Sequence, residues 1–432
     1  MTRVILGNIA ISQTGPFGSQ LHEEDYVSEG TPIVTVEHLG DTNFTHQNLP
    51  FVSEADTKRL SKYILIEGDI VFSRVGSIDR NVYVDKNHEG WMFSGRCIRV
   101  RADKNKVNPR YLSYYFKQNS FKKMMMNLAV GATMPSLNTK IMNSIELDLL
   151  PRENQDKIAN ILSAIDDKIQ INNQINQELE TIAKTLYDYW FVQFDFPDQN
   201  GKPYKSSGGK MVYHPELKRE IPEGWGMTTF SSWISDNKTG DWGKETSEGN
   251  YKLEVDCIRG ADINGLSGNG KIDMPTRFIL EKNKNKLLTD FDIVIEISGG
   301  SPTQSTGRIV GISENVLNRF ELPLICSNFC KAVSLNEQET FYNFVYEWKN
   351  LYDNGVLFSW EGKTSGIKNL LFDSFVANYH IAQPPIDLMK QFFDFASSVD
   401  KKTQLLLKQN QELTQLRDWL LPMLMNGQVK VE

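Results

Sequence analysis

Two stretches far apart in this chain match each other, and the match restricts the fold more than any other feature. With Asp166 set against Asp400, the NQEL of Asn176–Leu179 falls on the NQEL of Asn410–Leu413. Lys168 then falls on Lys402, Ile165 on Val399 and Pro151 on Pro385. A second pair, GDIVFSRVGS from Gly68 and FDIVIEISGG from Phe291, leads in each case to an arginine, Arg80 and Arg308. Each half therefore runs through a strand-rich region, a proline and a long helix in the same order. A repeat of this size is one structural plan used twice.

The segment FPDQNGKPYKSSGGKMVYHPELKREIPEGW, rich in Gly, Pro, Ser and Lys, joins the halves as a linker. Residues 1–152 and 223–386 are expected as two similar domains, 153–196 and 387–432 as long helices, and 197–222 as the connection. Strand-formers punctuated by glycine, as in YILIEGDIVFSRVGSIDRNVYV, alternate with helical pieces such as PRYLSYYFKQNSFKKMMMN. The expected class is α+β: two similar mixed α/β domains separated by two long helices that form an antiparallel coiled coil.

The helices carry a seam. Ile158, Ile161, Ile165, Lys168, Asn172, Ile175, Leu179, Ile182, Leu186 and Tyr189 step alternately by three and four. The repeat supplies Phe392, Phe395, Val399, Lys402, Leu406, Gln409, Leu413, Leu416, Leu420 and Met423. This is an a/d heptad pattern with polar members. Antiparallel pairing is expected to set Asn172 against Gln409 as the sole buried amides. Lys168 then meets Leu413 and Lys402 meets Leu179, with the long stems reaching out to solvent.

Catalytic motifs fail on inspection. EGKTSG at Glu361–Gly366 has Leu357 where a phosphate-binding loop needs its first glycine. HEEDY at His22 lacks a second histidine, and QPPI at Gln383 lacks the Asn and the aromatic residue of an adenine-methylase motif. Asp292 and Glu296 alternate as nuclease carboxylates do, but Ser298 stands where a lysine is expected. Four irregularly spaced cysteines, Cys97, Cys257, Cys326 and Cys330, suit buried thiols rather than a disulfide framework or a metal site. No apolar run reaches membrane-span length and Met1–Ala10 lacks signal-peptide zones, so a cytoplasmic protein is expected.

The net charge of −7 argues against nucleic acid only as a whole-chain sum. Arg96, Arg99, Arg101, Lys104, Lys106, Arg110, Lys117, Lys122 and Lys123 form a basic stretch with few acids among them, and binding depends on the local field. The loop ISGGSPTQSTGR offers Ser301, Thr303, Gln304, Ser305 and Arg308; its hydroxyls suit phosphate oxygens, Gln304 suits adenine and Arg308 guanine. Its counterpart SRVGSIDR offers Arg74, Ser77 and Arg80, with Arg96, Lys140, Lys363 and Lys368 as further candidate contacts. The competing readings are a nuclease or DNA methyltransferase with degenerate motifs and a purely structural coiled-coil adaptor.

The stretch from Glu153 to Trp225, GDIVFSRVGS, ISGGSPTQSTGR and the ending QLRDWLLPMLMNGQV resemble the specificity subunits of type I restriction–modification enzymes. The resemblance implies two target-recognition domains, each reading one half of a bipartite site in double-stranded DNA. The coiled-coil spacer, with Ile165, Lys168, Asn172, Leu179, Leu186, Val399, Lys402, Leu406, Gln409 and Leu413 in its seam, docks two modification methyltransferase subunits. Restriction/translocase subunits join the assembly. It also implies a chain without catalysis or cofactor of its own, S-adenosylmethionine, ATP and Mg belonging to the partner subunits.

Overall fold

A computed structural model describes residues 1–16, 18–129, 136–301, 303–364 and 367–429. The expected α+β class holds: short strands and helices alternate with two long helices, Arg152–Tyr187 and Ile386–Met425. The chain divides into two compact units, Met1–Ile169 with Glu412–Glu432, and Gln170–Gln411. Both boundaries fall inside the long helices rather than at their starts. Each helix therefore lends one part to each unit.

In the first unit a four-stranded sheet runs in the order Ala10–Thr14, Cys97–Ala102, Asp69–Ser73, Asn81–Tyr83, with every neighbouring pair antiparallel. The second unit repeats that order with Ile234–Thr239, Cys330–Leu335, Asp292–Glu296 and Ile309–Ile312, again antiparallel throughout. The strands DIVFS and DIVIE occupy the same interior place and are buried along their whole length. An interior strand covered on both faces reads as a continuous apolar run instead of an alternating one.

The repeat extends to backbone detail. Gly68 precedes the first of these strands with φ of +98°, and Phe291 precedes the second with φ of +65°. A left-handed phenylalanine costs about 1 kcal/mol or more. Its ring packs at 5.1 Å from Phe341 and 5.7 Å from Phe393, which offsets that cost. Gly15 and Gly240 are also equivalent: a Cβ would stand 2.2 Å from the Ser94 carbonyl oxygen at one and 1.9 Å from that of Ser327 at the other.

Within the second unit the two helices run antiparallel, Asn172 bonding to Gln409 and Tyr187 packing 5.4 Å from Phe392. Within the first unit Asp166 meets Arg417, and Ile158, Ala159 and Leu162 share a core with Leu424 and Met425. The expected Asn172–Gln409 pairing forms and Ile158, Phe392 and Leu406 are buried as expected, but other seam members are turned outward. Lys168, Lys402 and Tyr189 are exposed, and Ile182 and Leu416 are 54% and 44% exposed. Asn172 is buried as expected, and Asn176, Ala183 and Tyr187 are buried with it. These step by eleven, 172 to 183 and 176 to 187, because a straight helix drifts about 20° per heptad away from a seven-residue repeat. Asn172 and Gln409 are also not the sole amides of interest: Asn176 and Gln404 are buried, whereas Gln409 keeps solvent exposure.

Candidate nucleic-acid interface

Each interior strand feeds a loop at the same edge of its sheet, residues 74–80 in the first unit and 297–308 in the second. A tight turn supports each loop from behind. In Ser94–Cys97, Cys97 N–H donates to the Ser94 carbonyl at 2.9 Å and the Ser94 hydroxyl to the Cys97 sulfur at 3.8 Å. Ser327–Cys330 reproduces both bonds at 2.9 and 3.8 Å. The loops then attach identically: Arg74 N–H donates to the Arg96 carbonyl at 2.8 Å and Ile297 N–H to the Phe329 carbonyl at 2.9 Å. Burial pushes the Cys97 thiol up to about 12, so it serves as packing and not as a nucleophile or ligand.

The sequence candidates separate into two groups. Ser77, Arg80, Arg96, Lys140, Thr303 and Gln304 are exposed and free to meet a ligand. Arg74 is spent internally, donating to the carbonyls of Gly95 at 3.1 Å and Leu137 at 3.3 Å. Arg308, expected to read guanine, instead forms a two-pronged pair with buried Glu296 at 2.9 and 2.6 Å. This pair closes the loop, because Glu296 ends the strand before it and Arg308 precedes the strand after it. Glu361 accepts from Thr306 N–H at 2.7 Å and stands 3.1 Å from Lys368, tying the loop to the Glu361–Thr364 and Ile367–Leu370 hairpin. Ser305 is buried and Ser301 is half-buried, each holding the loop through its backbone. Lys363 lies on that hairpin, and its side chain falls outside the described residues.

Asp292 and Glu296 are accounted for structurally. Asp292 takes Lys238 at 2.6 Å, Ser334 at 2.6 Å and Thr289 N–H at 2.7 Å, as Asp69 takes Arg101 at 2.6 Å in the first unit. All four cysteines are free and buried, and no metal-holding group occurs among the described residues.

Phe329 was not visible as a candidate in the sequence. It is 54% exposed beside the loop, at the turn position that Arg96 occupies in the other unit. Extending the repeat alignment through the SGRC and SNFC turns would have found it.

The two loops are attached alike at their roots and are chemically unlike at their tips, which marks a duplicated protein. The first part of the chain, residues 6–181, matches the family model described as type I restriction modification DNA specificity domain. That part of the chain is similar to the DNA specificity domain of type I restriction–modification systems. The MjaIX specificity subunit of Methanocaldococcus jannaschii is 26% identical over 95% of this chain and 89% of its own length. The HindI specificity subunit of Haemophilus influenzae is 31% identical over 38% of this chain and 37% of its own length. The crystal structure of a type I restriction–modification S subunit from M. genitalium shares the fold, with a TM-score of 0.56 at 16% identity, covering 100% of this chain and 96% of that one. Among the described residues no helix is long and apolar enough to cross a membrane.

Proposed function

We propose that each repeat reads one half of an asymmetric, bipartite target in double-stranded DNA, and that the two long helices set the gap between halves. The observation that carries this is the equivalence of the loop roots combined with the difference of their tips. Arg96 stands where the other unit presents Phe329, and the first loop exposes Ser77 and Arg80 while the second exposes Thr303 and Gln304. Cationic and hydroxyl groups suit phosphates and guanine edges, whereas an aromatic ring and an amide suit a thymine methyl and adenine. Unlike tips on like frames give unlike half-sites.

The partners in this reading are two modification methyltransferase subunits, which bring S-adenosylmethionine, and restriction/translocase subunits, which bring ATP and Mg. A matched pattern on the long helices supports two copies of one partner. Ile171 and Ile182 are 49% and 54% exposed, and their repeat equivalents Leu405 and Leu416 are 59% and 44% exposed. Each pair is eleven residues apart and so lies on one helix face. Exposed apolar residues recurring in register are what a duplicated docking surface requires. The assembly works in the cytoplasm, where its DNA is.

The deciding experiment co-expresses the chain with its methyltransferase partner and maps modified adenines across a genome. Two unequal half-sites around a fixed gap are expected. A contiguous palindrome overturns the reading.

A further inference from the structure

The duplication supplies an internal control for a cleft that the two repeats share. In each unit a short helix faces a long one, Pro109–Lys117 in the first and Phe341–Asp353 in the second. Their sequences align with Tyr114 on Tyr346 and Lys117 on Lys349, and all four residues line the clefts of their own units. In the second unit the lysine is satisfied: Lys349 stands 3.4 Å from Glu180, and the cleft has a volume of only about 80 Å³.

The first unit differs at each of these points. By the alignment of Asp166 with Asp400, the position of Glu180 is taken by Thr414 and that of Ala183 by Arg417. The cleft thus loses a carboxylate and gains a guanidinium. Its volume is about 680 Å³. Lys117 is largely covered and has no ion pair among the described residues; half-buried Lys122 and exposed Arg80, which line the same cleft, have none either. Arg417 lines it too, held by Asp166 at 3.0 Å and Asp418 at 2.8 Å. Asp41 and Asp79 also line the cleft.

Of these three cations without an ion pair, Lys117 is largely withdrawn from water, which costs stability unless a ligand neutralises it. Burial pulls Lys117 down to about 8 against the attraction of Asp166, and Arg417, Arg110 and Lys122 push it the same way. Such a group lining an open cleft is a candidate ligand contact. Asp41, Asp79 and Asp418 line the cleft beside Arg80, Lys117, Lys122 and Arg417, which leaves a cationic excess, and the space admits a ligand larger than a single carboxylate.

We propose that the first unit's cleft binds a ligand carrying more than one phosphate group, with Lys117, Lys122 and Arg80 as its contacts, and that the second unit's cleft does not. Free polyphosphates and adjacent phosphodiesters of a DNA backbone share this chemistry. The proposal stands independently of how the loops read bases.

The test uses the full chain, with inorganic tripolyphosphate as one probe and a DNA duplex lacking any target as the other. Calorimetry of tripolyphosphate is compared for wild type, Lys117→Gln/Lys122→Gln and Lys349→Gln. Removing a strained cation is expected to leave the fold intact, which the melting temperature checks. Saturable binding is expected in wild type and Lys349→Gln, weakened at least about tenfold in the double variant, the scale of one lost charge-assisted bond. If the double variant also loses retention of the duplex, the phosphates are those of DNA. Unchanged retention assigns the cleft to a free phosphate ligand. Absence of saturable tripolyphosphate binding, or binding indifferent to the double substitution, overturns the proposal.

Discussion

Asn172 donates from one amide nitrogen to both Gln409 and Asn410, each at 2.8 Å, at a level of the helix pair where its own side chain is buried. The same layer is completed by Asn410 donating to Asn173 at 2.8 Å. One turn along, Asn176 is also buried, yet neither of its amide atoms finds a partner among the described residues. Asn172→Ala is expected to lower stability by about 1–3 kcal/mol, because two acceptors lose their donor. Asn176→Leu is expected to raise stability by about 1 kcal/mol, since it exchanges an unsatisfied amide for apolar volume. Denaturant unfolding of the full chain checks the opposite signs.

The closed root of the second loop predicts a separation of stability from recognition. Arg308→Ala leaves Glu296, 2% exposed, as an uncompensated buried charge and is expected to cost about 3–5 kcal/mol. Gln304→Ala, on the exposed tip, is expected to stay within about 0.5 kcal/mol of wild type. Thermal unfolding and mapping of modified adenines together distinguish them: Gln304→Ala alters one position of the second half-site and leaves the first unchanged.

The equivalent turn positions make a matching prediction. Phe329→Ala is expected to relax discrimination in the second half-site only, by about 1–3 kcal/mol for one base pair. Arg96→Ala weakens the first half only. A change appearing in the other half from either substitution contradicts the assignment of one half-site to each repeat.

Exposed apolar positions in register predict stoichiometry. Ile182→Glu and Leu416→Glu, each alone, are expected to reduce captured methyltransferase subunits from two to one, and together to abolish capture. Mass measurement of the co-purified assembly reads this directly.

The strained Lys117 predicts a dependence on pH. Its folded pKa lies near 8, below the usual lysine value, so the folded state binds its proton less readily than the unfolded state does. The penalty is therefore fully present below about 8 and is relieved as pH rises from there towards the unfolded value of about 10.4. Lys117→Gln is expected to raise the melting temperature at pH 7 and to lose that gain near pH 10. Thr414→Glu, which restores the carboxylate that Lys349 has, is expected to stabilise the first unit at pH 7 as well.

Much of this molecule was written in local pattern. The match of Asp166 with Asp400 and of Gly68 with Phe291 announced two copies of one plan, and one four-stranded sheet in each unit has the same strand order. The strand-formers punctuated by glycine around Ile70–Phe72 announced a strand there, and Asp69–Ser73 is one. The place of Asn172 opposite Gln409 followed from the helix period and the direction of the chain. Other properties needed the tertiary structure, because they depend on what arrives from distant parts of the chain. Arg308 looked available until Glu296, twelve residues earlier but across the hairpin, was seen to hold it. The seam drifted because straight helices do not keep a seven-residue period. Lys117 and Lys349 look alike in sequence. Only the folded units show that one has Glu180 beside it and that the other faces an open cleft with Lys122 and Arg80, since the partner of a side chain is chosen by packing and not by its neighbours in the chain.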